Sequence, residues 1–179
     1  MKATGIVRRI DDLGRVVIPK EIRRTMRIRE GDPLEIYTSR EGEVIFKKYS
    51  LLGGLEDFAA QFCDALNRTS GFTAAVTDRD AVIAITGAGK RELLGKSLSE
   101  ALYRVMEERR IYCCQGADQP LPVTDGNDRY TAAVAAPILC EGDVLGLVLF
   151  LSAEGQVPGE GEYKLAQTVS AFLGKHMES

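Results

Sequence analysis

The chain has 179 residues, of which 45% are hydrophobic and 27% charged, proportions that are ordinary for a folded globular protein. No run of residues approaches the roughly 18 apolar positions that a membrane-spanning helix needs, and no apolar leader or cleavage site follows Lys2. These features exclude a membrane protein, and we expect a cytoplasmic one.

The net charge of −3 is unevenly distributed along the chain. Residues 1–50 carry twelve Lys and Arg against eight Asp and Glu, a balance of +4. Residues 51–179 carry eleven against eighteen, a balance of −7. This asymmetry predicts a half that binds a polyanion, joined to a half with a different role.

Four cysteines are present, and disulfides are rare in a reducing compartment. They are Cys63, Cys113, Cys114 and Cys140. The chain has no C-x-x-C pair and only one histidine, His176, so the ligand spacing of a zinc site is missing. We therefore predict buried structural thiols and no bound metal, with a redox role for Cys113 and Cys114 as the alternative.

The first fifty residues predict two strands, a short helix and two further strands. The strands lie at 3–10 and 15–18 around a turn at 11–14, and a hairpin joins 34–38 to 44–48. The helix covers about 19–27, with Pro19 at its first position. Because so few residues cannot bury an adequate core alone, we expect an obligate dimer with interlocked strands.

Residues 51–55 predict a linker, and residues 56–179 predict a larger α/β domain. Its predicted elements are a helix carrying Leu52 to Leu66, strands at 72–76 and 81–86, a helix with Ser97 and Glu100 as capping box, a polar loop at 115–128, a hairpin of 130–139 and 143–151, and a helix from about 160 that carries Ala166 to His176. Apolar residues at spacings of 3 and 4 on the first and last helices favour packing against further helices. They predict a four-helix bundle between two chains and hence a homotetramer.

Arginine outnumbers lysine by eight to four in residues 1–50. A guanidinium group forms bidentate hydrogen bonds to phosphate oxygens and guanine edges, which lysine cannot match. A dimer would repeat these groups about a two-fold axis, like that of duplex DNA. Double-stranded promoter DNA is therefore the expected partner, with a solvated charged surface as the alternative.

The first fifty residues resemble the AbrB-type transition-state regulators. The resemblance lies in Gly5-Ile6-Val7-Arg8, Asp12-Leu13-Gly14-Arg15-Val16-Val17-Ile18-Pro19 and Glu21-Ile22-Arg23-Arg24. It implies a swapped-hairpin β-barrel dimer (β-β-α-β-β) and DNA contacts by Arg8, Arg15, Arg23 and Arg24, with Arg9 adding basic charge. It also implies promoter DNA without a sharp consensus, sensed through shape and deformability.

The remainder resembles a GAF domain, an α/β sensor fold, and the complete chain resembles sporulation regulators that join the two modules. This implies an activator and repressor of sporulation genes, associated with the nucleoid of the forespore. The N-K-x-F-x-x-x-D-E string of cyclic-nucleotide-binding members is absent. We expect no identified cofactor, and two roles stay open for this domain: a pocket for an unidentified small molecule, or assembly alone.

Two other function classes are weaker. An antitoxin shares the swapped-hairpin barrel, but its usual disordered acidic tail is replaced here by a domain with aliphatic periodicity. Residues 89–97 end in Gly-Lys-Ser like a phosphate-binding loop, yet five residues separate the glycines where the motif has four. Since no catalytic base lies at an interpretable spacing either, we expect no enzyme.

Overall fold

The computed structural model describes residues 4–50, 52, 54–115, 119–152 and 156–178, and the chain forms two compact units, Met1–Tyr49 and Ser50–Ser179. In the first unit, helix α1 spans Lys20–Thr25, and strands β1 (Leu34–Thr38) and β2 (Val44–Lys48) pair antiparallel. Ile36 lies opposite Phe46 in this ladder. The predicted hairpin is confirmed.

The predicted strands at 3–10 and 15–18 are absent from the described residues, which begin at residue 4. Residues 4–18 contain a turn but no strand. A strand needs a neighbouring strand to satisfy its backbone groups, and the described part of this chain offers none to this segment. Its large apolar side chains from Ile6 to Val17 are exposed, from 37% for Ile6 to 85% for Val7. The segment thus has a strand-forming sequence, but its apolar side chains are not covered by the described residues of one chain.

The turn predicted at 11–14 is confirmed. The N–H of Gly14 donates to the Asp11 carbonyl, and the N–H of Asp11 donates to the Arg15 carbonyl, both at 3.0 Å. Gly14 has φ of +76°, a left-handed conformation that glycine adopts without steric cost.

Helix α1 is shorter than predicted at both ends. It begins at Lys20, so Pro19 is the N-cap and not the first helical residue. Past the helix, Arg27 adopts φ of +53°, and the N–H of Ile28 donates to the Arg23 carbonyl at 2.7 Å. This bond closes the helix as a C-terminal cap.

The second unit is an antiparallel sheet with helices on both faces. Its helices are α2 (Glu56–Ser70), α3 (Lys90–Leu93), α4 (Glu100–Glu108) and α5 (Glu160–His176). Its strands are β3 (Thr73–Thr77), β4 (Val82–Thr86), β5 (Tyr112–Cys113), β6 (Leu121–Thr124), β7 (Asn127–Cys140) and β8 (Asp143–Ser152). The strand order is β4-β3-β8-β7-β5, with β6 also paired to β7.

Strand β8 contributes to two hydrophobic cores, one on each face of the sheet, because alternate residues of a strand point to opposite faces. Val148 and Phe150 belong to the core beneath α2 and α5, where Leu173 is also buried. Leu147 and Leu149 belong to the core beneath α3 and α4. Both faces of the sheet are therefore buried within one chain.

Three sequence predictions in this unit need correction. Leu52 and Leu55 precede α2, although Leu52 is buried in the core. The cap of α4 is Ser99, not Ser97, since Ser97 pairs with Ala81 in a β-bridge. The predicted loop at 115–128 contains strand β6, and its residues 116–118 lie outside the described part.

Ser99 joins α4 to β6. Its hydroxyl donates to the Pro122 carbonyl at 2.6 Å and accepts from the N–H of Leu102 at 3.2 Å. Its own N–H donates to the Val123 carbonyl at 2.9 Å. These bonds hold the edge strand against the helix.

Helix α5 approaches the backbone of β7 so closely that only glycine fits at position 174. A Cβ there would lie 2.0 Å from the Leu139 carbonyl oxygen. Gly161, at the start of the same helix, has nothing within 4 Å of its Cβ position. Steric contact with β7 therefore requires glycine at position 174, whereas the open space at position 161 admits a side chain.

We predict that Gly174→Ala destabilises the chain, because the added methyl forces α5 away from the sheet. The expected loss is about 1–3 kcal/mol, the usual cost of overpacking. Gly161→Ala is the matched control and should stabilise by up to about 1 kcal/mol through helix propensity. Urea unfolding followed by circular dichroism at one protein concentration measures both. Equal stability of the two variants would contradict the close approach.

Candidate nucleic-acid interface

The five predicted DNA-contacting arginines are all exposed. They are Arg8 and Arg9 in the segment before the first turn, Arg15 at the end of that turn, and Arg23 and Arg24 in the last turn of α1. All five lie in the first unit. The fold therefore keeps these cations in water, where a polyanion can reach them.

Four of these arginines have no carboxylate partner among the described residues. Arg8 donates only to the carbonyl of its neighbour Val7, at a long 3.4 Å. For Arg9, Arg23 and Arg24 no side-chain hydrogen bond or ion pair exists in the described part of the chain. Their positive charge is thus available for an external anion.

Arg15 differs, because Asp11 holds it. Its Nε donates to Oδ2 of Asp11 at 2.8 Å, and its backbone N–H donates to Oδ1 at 2.8 Å. The backbone N–H of Arg15, and then its guanidinium, hold the pKa of the Asp11 carboxyl below its usual range. Basic charge in the sequence does not reveal Asp11, although an acidic residue four positions before an arginine across a turn could have indicated the pair.

A second exposed feature of the first unit is apolar. Its large exposed side chains are Ile6, Val7, Ile10, Leu13, Val16, Val17, Met26, Ile36, Tyr37, Val44, Phe46 and Tyr49. Scattered apolar residues are normal on a protein surface, but a dozen within fifty residues are not. This unit exposes what a core would normally bury.

In the second unit, aromatic side chains meet between α2 and α5. Ring centroids of Phe58 and Phe62 lie 5.1 Å apart, and those of Phe62 and Phe172 lie 5.5 Å apart. His176 stacks on Phe172 with an interplanar angle of 10°. Phe172 remains 49% exposed. We call these four side chains the aromatic patch.

The four cysteines form no disulfide, and Cys63 alone among them is fully buried. Burial raises the pKa of the Cys63 thiol to about 12. Cys113, Cys114 and Cys140 are partly exposed, so the prediction of buried thiols holds for one of the four. Burial also raises the pKa of Cys140, as do the nearby carboxylates of Glu141, Glu178 and Asp143.

Metal ligands and membrane spans were also sought within the described ranges. No group of three or more His, Cys, Asp and Glu there could hold a metal ion. No helix among the same residues is long and apolar enough to cross a membrane. In the segment at 89–97, Gly89 is the N-cap of helix α3.

Two family models match the chain, one for each unit. Residues 54–178 match the model described as "Stage V sporulation protein T C-terminal, transcription factor". Residues 7–50 match the model described as "Antidote-toxin recognition MazE, bacterial antitoxin". The division between the matches falls near residue 50.

The chain is similar to one relative over its full length and to other proteins over part of its length. Stage V sporulation protein T of Bacillus subtilis is 49% identical over 178 residues, which cover 99% of each chain. The transition state regulatory protein AbrB of the same organism is 63% identical over 49 residues, 27% of this chain and 50% of that protein. The GAF domain of an Acinetobacter phosphoenolpyruvate-protein phosphotransferase is 16% identical, with a TM-score of 0.50, and the match covers 73% of this chain and 84% of that one. At that identity the structural likeness shows the fold alone.

These matches and the two units define the class: a transcription factor in which an AbrB-type N-terminal domain precedes a C-terminal domain of GAF fold. Within that class, the chain belongs to the stage V sporulation protein T family. The mixed fold and the family predicted from the sequence are thereby confirmed.

The buried thiol generates a prediction. A thiol whose pKa is about 12 is almost wholly protonated at pH 8, and the thiolate is the reacting form. Cys63 should therefore resist iodoacetamide in the folded chain and react after unfolding in urea, whereas the peptide carrying Cys113 and Cys114 should react in the folded chain. Peptide mass spectrometry over time measures both rates. Equal labelling of the two peptides in native buffer would contradict the burial of Cys63.

Proposed function

We propose that the chain is a DNA-binding transcription regulator of sporulation genes, an activator at some promoters and a repressor at others. Arg8, Arg9, Arg15, Arg23 and Arg24 hold the duplex. The observation that carries the proposal is that all five are exposed in a domain 63% identical to part of a transition state regulatory protein. No catalytic role is assigned to the chain.

The chemistry of these side chains favours contacts to the DNA backbone. Arginines on an open segment, a turn and a short helix reach phosphates readily, and such contacts carry no base identity. Sequence preference then comes from the shape and deformability of the promoter. The regulator tolerates many sequences for this reason.

The first unit acts as a dimer. Covering its exposed apolar side chains requires a second copy, and residues 4–18 need strands to pair with. Exchange of hairpins between two chains supplies both at once, and closure into a barrel removes free sheet edges. The dimer also doubles the arginines about a two-fold axis.

Different parts of the chain have different functions in this proposal. Residues 1–50 bind DNA, residues 51–55 link, and residues 56–179 regulate and assemble. The balance of −7 in residues 51–179 repels phosphate, which restricts DNA to the first domain. The protein acts in the cytoplasm on the nucleoid, and in the forespore during sporulation. The GAF-fold domain tunes DNA affinity, either through a small molecule or through assembly alone.

The antitoxin alternative has one observation in its favour, the match of residues 7–50 to an antitoxin model. That match covers only the first unit. The residues after it form a folded domain with a buried core, and they match a transcription factor model. The regulator is therefore the better-supported function.

The aromatic patch supports assembly into a homotetramer. Phe172 is half exposed between two helices, and aromatic side chains are enriched in interfaces. In this assembly, α2 and α5 of two chains pack against each other at the patch, and each N-terminal domain pairs with that of a different chain. Two DNA-binding dimers are then joined. The second dimer then binds at high effective concentration.

The DNA grip is tested by salt titration. If four of the five arginines in each chain bind a phosphate, a dimer makes about eight contacts and the log–log slope is near −7, from about −0.9 per phosphate. Arg15→Ala or Arg23→Ala should flatten the slope by about two units, because both subunits lose a contact.

The matched control is Arg40→Ala, which removes an exposed arginine from the turn between β1 and β2. It should leave the slope within about half a unit of wild type. Wild-type binding that barely changes with salt would overturn the proposed DNA grip.

The assembly is tested by light scattering. The full chain should run as a tetramer, and Phe172→Glu should reduce it to a dimer, because a buried carboxylate would meet its own copy in the bundle. Gln167→Glu, at an exposed position of the same helix, is the control and should stay tetrameric. A wild-type dimer at micromolar concentration would remove the tetramer and the avidity argument.

A further inference from the structure

The Asp11 carboxylate is almost fully engaged by the turn that it begins. Its Oδ1 accepts from the N–H of Leu13 at 3.0 Å and from the N–H of Arg15 at 2.8 Å. Its Oδ2 accepts from Nε of Arg15 at 2.8 Å. One oxygen therefore fixes the backbone of the turn, and the other fixes a guanidinium.

The contact through Nε leaves the outer edge of that guanidinium free. A guanidinium carries five N–H donors in a planar fork, and Nε supplies one of them. Arg15 is 70% exposed along its side chain, whereas Asp11 is 34% exposed. No hydrogen bond to Nη1 or Nη2 of Arg15 exists within the described residues. The two terminal nitrogens thus face water as a fork that fits two phosphate oxygens.

A carboxylate at this place is otherwise unfavourable for binding DNA. Hydrogen bonds from Arg15 keep the pKa of Asp11 low, so the group is ionised at neutral pH and repels phosphate. Asp12, the next residue of the same turn, is also exposed but makes no hydrogen bond or ion pair in the described part of the chain. Charge alone therefore predicts that losing either aspartate tightens binding.

We infer that Asp11 is a positioning residue for DNA recognition, which holds Arg15 through Nε so that its Nη1 and Nη2 edge meets a phosphate of the duplex. The inference rests on the proposed DNA-binding function. Ordering a flexible arginine before binding removes an entropic cost of about 0.5–1.5 kcal/mol per side chain. In this inference, the geometric gain exceeds the repulsion by the added negative charge.

The test compares Asp11→Asn with Asp12→Asn in the full chain on one promoter duplex. Both substitutions remove one negative charge from the same turn. An asparagine at 11 keeps an oxygen for the backbone N–H groups but no longer offers a second acceptor to Nε. Asp12→Asn should bind equally or more tightly, whereas Asp11→Asn should bind more weakly by about 2- to 13-fold for each of the two copies in the dimer, the range that the ordering cost per side chain implies.

The double variant separates positioning from a structural effect. In the Arg15→Ala background, Asp11→Asn should cause no further loss, because the group that it positions is gone. The Arg15 Nε–Hε resonance should show slowed exchange in free wild type and Asp12→Asn, and fast exchange in Asp11→Asn. Thermal unfolding of the two single variants should agree.

Three outcomes would overturn the inference: tighter binding by Asp11→Asn, an equal loss with Asp12→Asn, or an undiminished loss from Asp11→Asn in the Arg15→Ala background. Each leaves the proposed function intact if wild-type binding still falls steeply with salt. Wild-type binding that does not depend on salt would, by contrast, contradict the proposed function itself. The two failures are therefore distinguishable.

Discussion

The apolar side chains of residues 6–17 are uncovered in a single chain, and the N-terminal domain depends on what covers them. Val7 and Val17 are 85% and 70% exposed, and no strand pairs with this segment within the described residues. Burial of apolar area contributes about 25 cal/mol per Å², so the proposed association with a second copy would supply what about fifty residues cannot. Because Arg8, Arg9 and Arg15 lie on the same segment, covering the apolar residues would also order these cations. In the proposed dimer, chain association and DNA binding are therefore one physical requirement.

The C-terminal domain has the opposite condition. Strand β8 contributes side chains to two cores, with Phe150 buried beneath α5 and Leu149 beneath α4. One chain therefore suffices to bury both faces of the sheet. Among its exposed apolar side chains is Phe172 of the aromatic patch, which is half exposed. A domain with a complete core can assemble through such a patch without refolding. The two domains therefore suit two different kinds of association.

Strong patterns in the sequence predicted elements well. The β7–β8 hairpin and α5 follow from long apolar runs and from apolar residues at spacings of 3 and 4. Strand β6 was missed because Pro122 argues against a strand, and pairing on a sheet edge tolerates proline. Ser97 and Ser99 are both plausible caps locally, and only the bridge to Ala81 decides between them. Residues 4–18 have a strand-forming sequence, but the described residues of one chain contain no partner strand for them.

The candidate site shows a different limit. Arginines are recognised from the sequence because their charge has the sign that DNA requires. Asp11 has the opposite sign, so composition counts it against DNA binding. Its inferred contribution depends on geometry: a carboxylate oxygen 2.8 Å from Nε leaves the Nη1 and Nη2 edge of Arg15 facing outward. Gly14 makes this geometry possible, since its left-handed φ of +76° lets the chain turn back within four residues. A residue that repels the ligand can thus favour its binding by fixing the residue that attracts it.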